Sequence, residues 1–263
     1  LAGSYRLGPV EAVKTTEKTV ELWSALDALV LKAIAIVLSR RLAPIFSRTC
    51  YHPLGHGGAK KAVRDVAAHL PEHKFVFRTD VKSYYASIDH EILFAQLKEH
   101  VDDPRLLNLL WQYMRRTVYD GGRHEDVIVG IPLGCPLSPL MGALYLKPVD
   151  DAMAESGLFY ARFMDDWIVL AQTRWKLRTA IRCVNRILAE LKIAQHPDKT
   201  FIGRISRGFD FLGYCFGTTG LVGVAKQSLE RFVERATRLY EQDADTDRIE
   251  EYVRRIVPVI ARR

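Results

Sequence analysis

Residues 159–171, reading FYARFMDDWIVLA, constrain the fold more than any other stretch of the chain. Phe159, Tyr160 and Phe163 precede two adjacent carboxylates, and Trp167, Ile168, Val169 and Leu170 follow them. Aromatic and β-branched runs on either side of a polar dipeptide predict a β-hairpin with Asp165 and Asp166 at its tip. Asp is a common turn residue, so a plain polar turn accounts for the dipeptide taken alone. Two neighbouring anions, however, repel each other and lose hydration against apolar side chains. A Mg²⁺ ion with substrate phosphates is the usual reason to keep such a pair.

The 263 residues are 48% hydrophobic and 26% charged, enough to bury a core as one large domain or a few interleaved subdomains. A formal net charge of +7 favours an anionic partner, nucleic acid first, although an ordinary solvated basic surface carries the same charge. The four cysteines (Cys50, Cys135, Cys183, Cys215) show no Cys-X-X-Cys spacing and read as reduced, mostly buried thiols of a cytoplasmic protein. The longest apolar run, residues 28–38, contains Lys32 and is too short to span a bilayer, so no membrane partner is expected. The first residue is Leu, which fits a fragment of a longer chain with further domains or protein partners outside it.

In chain order, residues 5–23 predict a hairpin whose Arg6, Lys14 and Lys18 are candidates for phosphate contact, or ordinary surface charge. Ser24 and Asp27 resemble a capping box opening a helix, with Leu26, Leu29, Val30, Ala33, Ile34 and Val37 as its apolar face. In CYHPLGHGGAKKAV (50–63), Gly57 and Gly58 precede a helix with Lys60, Lys61 and Arg64, a setting suited to a phosphate backbone. Cys50, His52 and His56 lack a fourth metal ligand. The His56-Gly57-Gly58 run lacks the Gly-X-Ser-X-Gly elbow that a hydrolase oxyanion loop needs. KFVFRTD (74–80) alternates as a strand, Asp89 and Asp103 cap helices, and Gly121-Gly122 marks a loop. GIPLGCPLSP (130–139) is irregular up to Ser138-Pro139, an N-cap followed by Pro at the first helical position. The small pair Gly142-Ala143 then admits another backbone, and Pro148 kinks or ends that helix. Thr173 caps a helix whose outward residues are Arg174, Lys176, Arg178, Arg182 and Arg186, a nucleic-acid flank or a solvated face. HPDKT (196–200) and GFDFLGY (208–214) read as a strand pair. Leu229, Phe232, Val233, Ala236, Leu239 and Tyr240 line a last amphipathic helix, followed by a basic segment at 249–263.

Asp80, the 130–139 loop, Asp165-Asp166 and Lys199 are far apart in sequence, so only the fold can unite them. Two-metal phosphoryl transfer needs carboxylates on rigid elements that hold ions about 4 Å apart, and two neighbouring strands would supply them. These motifs resemble the palm of reverse transcriptases. DVKSYYASI (80–88) resembles the first catalytic motif of that family, GIPLGCPLSP the second, FMDD (163–166) the Tyr-X-Asp-Asp box, and HPDKT and FLGY (211–214) the two that follow. All five stand in the family's order. The likeness covers roughly residues 5–240, most strongly 73–216, and is greatest to bacterial enzymes of the group II intron type and their unassigned relatives.

The resemblance implies an α/β (α+β) right-hand polymerase: an antiparallel palm sheet backed by helices, helical fingers and a partial helical thumb. Fingers would occupy 1–72 and 99–129, palm 73–98 and 130–222, and thumb 223–263. It implies RNA-templated DNA synthesis on a primer 3′-hydroxyl, with RNA template, DNA or RNA primer and deoxynucleoside triphosphates as partners. Two Mg²⁺ ions, with Mn²⁺ as a substitute, would be held by Asp80, Asp165, Asp166 and the Val81 carbonyl. Tyr85 would lie under the incoming sugar and exclude a 2′-hydroxyl. Gly134 would let its loop approach the nascent base pair, Lys199 would sit near the leaving pyrophosphate, and Phe211, Leu212, Gly213 and Tyr214 would grip the primer. Two positions depart from the pattern. Leu133 stands where Gln is usual, removing a polar contact near nucleotide and template, and Phe163 replaces Tyr in the box. No maturase, endonuclease or RNase H segment is expected after the short thumb. Intron mobility, antiviral defence and other retroelement programmes use similar palms. The rivals are an RNA-templated RNA polymerase, which Tyr85 opposes, and a silent nucleic-acid-binding scaffold, which the intact carboxylates oppose.

Overall fold

A computed structural model describes residues 4–14, 19–242, 245–248 and 250–251. The chain opens with β1 (Val10–Lys14) and β2 (Thr19–Leu22), an antiparallel pair as the hairpin reading requires. Ser24 caps α1 (Ala25–Leu42), its hydroxyl accepting from the Asp27 N–H, and Pro44 lies in the 3₁₀ turn that ends it. Then come α2 (Gly58–His69), β3 (Phe75–Asp80), the short α3 (Tyr84–Ser87), α4 (His90–Lys98) and α5 (Pro104–Met114). Asp89 and Asp103 cap α4 and α5 by accepting two backbone N–H groups each. A hairpin of β4 (Thr117–Asp120) and β5 (Arg123–Asp126) follows, then α6 (Ser138–Tyr145) and α7 (Lys147–Glu155), with Pro148 at the start of the latter. The second half runs β6 (Phe159–Phe163), β7 (Asp166–Ala171), α8 (Arg174–Glu190), β8 (Phe201–Arg204), β9 (Phe209–Phe211), β10 (Tyr214–Gly217), β11 (Gly220–Val224) and α9 (Lys226–Glu241).

The central sheet has the order β6-β7-β3-β8, and every pair in it is antiparallel. Both of its faces are covered, which is why Trp167, Ile168, Val169, Leu170 and Ala171 are all fully buried and read as an unbroken apolar run. Alternate residues point to opposite faces. Phe77, Trp167 and Val169 meet Leu177, Val184 and Leu188 of α8 together with residues of α4 to α6. Val76, Ile168 and Leu170 meet Ala62, Val63 and Val66 of α2 and Phe209, Phe211 and Phe216 of the β9–β10 pair. Each such fully buried side chain contributes about 1.5–3 kcal/mol by leaving water. Two smaller sheets flank this one, β2-β1-β4-β5, in which β1 and β4 run parallel, and β11-β10-β9.

The packing corrects several expectations. On α1 the buried residues are Leu31, Ala35, Leu38 and Leu42, whereas Leu26, Leu29 and Val37 are exposed. The helix is apolar nearly all round, so periodicity selects no face. Ser138 does not cap α6: its hydroxyl donates to the Pro132 carbonyl at 2.6 Å and bonds Tyr113 at 2.7 Å. Gly142 admits aromatic rings in place of a backbone, because a Cβ there would lie 2.9 Å from the Tyr85 ring and 3.1 Å from the Tyr84 ring. Residues Pro197–Lys199 form a 3₁₀ turn, fixed by Pro197 at its start, and no strand. The outward arginines of α8 are exposed, on the sheet face opposite Asp80 and Asp166, which leaves both a nucleic-acid flank and a solvated face open to them. Cys183 and Cys215 are only half-buried, and none of the four cysteines is in a disulfide. No side chain of α9 is buried. The basic 249–263 segment lies outside the described residues except Glu250 and Glu251. No helix among the described residues is long and apolar enough to cross a membrane.

Candidate active site

The register of β3 against β7 places Asp80 directly opposite Asp166. Asp165 precedes it in the two-residue turn that joins β6 to β7. Like charges at facing positions of adjacent strands are destabilising, so the arrangement works against stability unless cations answer it. Two do so in this structure. Lys199 Nζ, delivered by the 3₁₀ turn, contacts Asp80 Oδ2, and Arg78 Nε lies 3.6 Å from Asp166 Oδ1. The backbone around them is fixed by His196 N–H donating to the Asp80 carbonyl at 2.8 Å and Arg78 Nη1 donating to the Lys199 carbonyl at 3.2 Å. Burial drives the Asp165 carboxyl up to about 7, with a hydrogen bond to Asp80 and its charge adding to the effect. Burial also drives Asp166 up to about 7, opposed by Arg78 and reinforced by Asp80 and Asp165. Near neutral pH and without metal, Asp165 and Asp166 are therefore partly protonated.

Oδ1 of Asp80 and Oδ1 of Asp166 are buried without a hydrogen-bond partner. Asp166 Oδ1 has only the long Arg78 contact, and hard carboxylate oxygens of this kind suit a divalent cation. Among the described residues no three His, Cys, Asp or Glu side chains form a ready metal cage. Mg²⁺ binds through one or two carboxylates plus water and substrate phosphates more often than in an all-protein cage, so the fit rests on donor chemistry and not on a preformed cluster. The donor set thus fits Mg²⁺ at Asp80, Asp165 and Asp166.

The sequence matches the reverse transcriptase (RNA-dependent DNA polymerase) family over residues 23–216, a span that contains all three carboxylates and Lys199. The chain belongs to that family. Protein YkfC of Escherichia coli K12 is 23% identical over 209 residues, 62% of this chain and 55% of YkfC. The group II intron-encoded protein LtrA of Lactococcus lactis subsp. cremoris is 21% identical over 154 residues, 56% of this chain and 26% of LtrA. The chain thus spans about half of one relative and about a quarter of the other. Among solved structures, telomerase from Candida albicans superposes with a TM-score of 0.60 at 11% identity, covering 77% of this chain and 38% of that one. The fold is accordingly the right-hand polymerase, with antiparallel sheets and packed helices.

Val81 is buried beside Gln195, and the two bonds of that bridge (Lys82 N–H to Ala194, His196 N–H to Asp80) do not involve the Val81 carbonyl. Tyr85 stands next to Asp165, whose charge, after burial, pushes the phenol well above its ordinary value. Its hydroxyl is buried without a partner. Gly134 has φ +95, a conformation L side chains rarely adopt, and a Cβ there would meet Val20 at 3.1 Å, so the loop lies against β2 beside half-buried Leu133. Phe211 ends β9 and Tyr214 starts β10. The turn between them, Leu212-Gly213, has φ values of 49° and 82°, as a tight hairpin demands. Lys14 pairs with Asp120 at 3.0 Å on the separate β2-β1-β4-β5 sheet, so the structure does not bring it to the carboxylates. Arg6 is exposed, and Lys18 lies outside the described residues.

Three residues that support the site, Arg162, Asp150 and His52, escaped the sequence reading. Arg162 and Asp150 form a fully buried ion pair at 2.5 Å, and the Tyr160 hydroxyl also donates to Asp150 at 2.8 Å. The signal was an arginine inside the aromatic strand FYARF, which must have a buried partner. His52, considered above only as a metal ligand, accepts the Met164 N–H in the turn between β6 and β7.

Proposed function

We propose that the chain is the polymerising part of an RNA-directed DNA polymerase, adding deoxynucleotides to a primer 3′-hydroxyl along an RNA template. The observation that carries this reading is the facing of Asp80 and Asp166 across β3 and β7, with Asp165 in the adjoining turn. Asp80, Asp165, Asp166 and the Val81 carbonyl would hold two Mg²⁺ ions, or Mn²⁺ in their place. Such ions supply charge neutralisation on the transferring phosphate and activation of the attacking hydroxyl. The rigid sheet aligns the reacting groups. Lys199, already within reach of Asp80, stabilises charge on the departing pyrophosphate. Tyr85, wedged between Gly142 and Asp165, crowds the 2′ position of an incoming ribonucleotide. Leu133 and Gly134 border the templating pair, the Phe211–Tyr214 turn supports the primer end, and template contacts are chiefly to phosphates and hence salt-dependent. In this reading fingers take 1–72 and 99–129, palm 73–98 and 130–222, and thumb 223–263.

Primer extension on a defined RNA template with Mg²⁺ tests this, using deoxynucleotides or ribonucleotides, with an Asp165→Ala, Asp166→Ala double variant as control. DNA product that the variant loses is the expected result. A folded chain that binds template and primer yet adds nothing under Mg²⁺ or Mn²⁺ would overturn it. Equal use of ribonucleotides would replace the product assignment with RNA.

A further inference from the structure

The turn that carries Asp165 is gripped from outside the hairpin at the residue before it. Met164 has φ +60, a left-handed conformation that a long side chain adopts only when its surroundings hold it there. Both of its peptide groups are engaged. Its N–H donates to His52 Nδ1 at 3.1 Å, and its carbonyl accepts from Arg162 Nη1 at 2.8 Å.

His52 arrives there by register. Cys50 forms a parallel bridge with Arg162, in which Tyr51 N–H donates to the Arg162 carbonyl and Arg162 N–H donates to the Thr49 carbonyl, each at 2.8 Å. Two residues further along both segments stand His52 and Met164. A backbone N–H only donates, so Nδ1 is the acceptor and the ring proton sits on Nε2, which points to the Pro139 carbonyl at 3.4 Å. Burial and the nearby Arg162 charge push His52 down to about 3, so the ring is neutral and Nδ1 is an acceptor, shared between the Met164 N–H at 3.1 Å and the Cys50 Sγ at 3.5 Å. The ring also packs edge-on against Phe163, 6.0 Å between centroids.

We propose that His52 is a positioning residue for the polymerisation site. By accepting the Met164 N–H it fixes the turn that presents Asp165 beside Asp80, and through Pro139 it ties that turn to the start of α6. The rate consequence rests on the polymerase reading, whereas the geometric consequence does not. A hydrogen bond to a catalytic turn matters more to rate than to stability, because misplacing a reacting group by about 1 Å can cost about 100-fold.

The test compares two substitutions in the full chain. His52→Asn keeps an acceptor oxygen near the place of Nδ1; His52→Leu fills the space and removes the acceptor. Each folded variant is followed by amide hydrogen exchange of the peptide covering 163–166 and by single-turnover nucleotide addition over a range of Mg²⁺ concentrations. The Leu variant should exchange the Met164 amide about tenfold faster than wild type. It should also add nucleotide about tenfold more slowly and need severalfold more Mg²⁺, with unchanged affinity for template and primer. The Asn variant should stay close to wild type in both readouts. Wild-type exchange and rate in the Leu variant, or equal losses in both variants, would overturn the proposal. Should the Leu variant not fold, His52→Gln, whose amide reaches toward the place of Nε2, takes its part with the same expectations. A wild-type chain that adds no nucleotide defeats the polymerase reading instead, and the exchange comparison still decides the role of His52.

Discussion

Replacing Asp165 by Asn should stabilise the metal-free protein, and by an amount that grows with pH. Burial and Asp80 push the Asp165 carboxyl from 3.8 to about 7. The folded chain therefore binds more protons at this site than the unfolded chain between about pH 4 and 7. Stability falls as pH rises through that window and the whole penalty is present at pH 8. About three pH units at 1.36 kcal/mol each give a ceiling of about 4 kcal/mol. Water at the half-open turn brings the expected gain of Asp165→Asn to about 2–4 kcal/mol at pH 8, shrinking to near zero at about pH 4. Urea denaturation of both proteins in chelator, at several pH values, measures the difference, and the eight histidines, common to both, cancel. Saturating Mg²⁺ at pH 8 should then stabilise wild type more than the variant, because a ligand of the folded state acts by mass action. A stability difference that stays flat from pH 4 to 8 without metal would refute the reasoning, since the carboxyl would then be ionising at an ordinary value.

The buried Asp150–Arg162 pair makes a second case: Asp150→Ala leaves a guanidinium uncompensated in the core and should cost about 3–5 kcal/mol in urea denaturation, together with firm holding of the Met164 carbonyl. Tyr85→Ala should raise ribonucleotide use relative to deoxynucleotide use by about tenfold or more in a competition extension assay. Gly142→Ala puts a methyl 2.9 Å from the Tyr85 ring and should lower stability by about 1–3 kcal/mol while loosening the same sugar discrimination. Ile168→Ala, on the β7 face that packs against α2, should cost about 2–5 kcal/mol with no change in nucleotide choice.

What the sequence made legible is what local chemistry encodes. The strand at 75–80, the hairpin around Asp165 and the caps at Ser24, Asp89, Asp103 and Thr173 each announce themselves within a few residues, whereas the turn at Leu212-Gly213 lies inside the stretch 208–214 that reads as one strand. The buried side of α1 was hidden because apolar residues surround that helix, and only its neighbours decide which of them meet the core. The β4–β5 hairpin was hidden because β5, Arg-His-Glu-Asp, is wholly exposed and carries no apolar alternation, leaving Gly121-Gly122 as its lone sign. The pairing of Asp80 with Asp166 was foreseen as a convergence but not as a register, and the ion partners Lys199 and Arg78 became specific only once the strands were laid side by side. His52 reaches Met164 across more than a hundred residues, and nothing in its own neighbourhood names that partner.

The two-sided burial of β7 has a bearing on how such a protein can vary. Each residue from Trp167 to Ala171 is claimed by one of two distinct cores, so inserting or deleting one residue there would exchange the two sets and turn every side chain to the wrong side. The facing of Asp80 and Asp166 is thus held by the packing of both cores around β7 and not by the carboxylates themselves. The exposed β4–β5 hairpin and the exposed residues of α1 and α9 belong to neither core, so changes there leave the spacing on which the chemistry depends untouched.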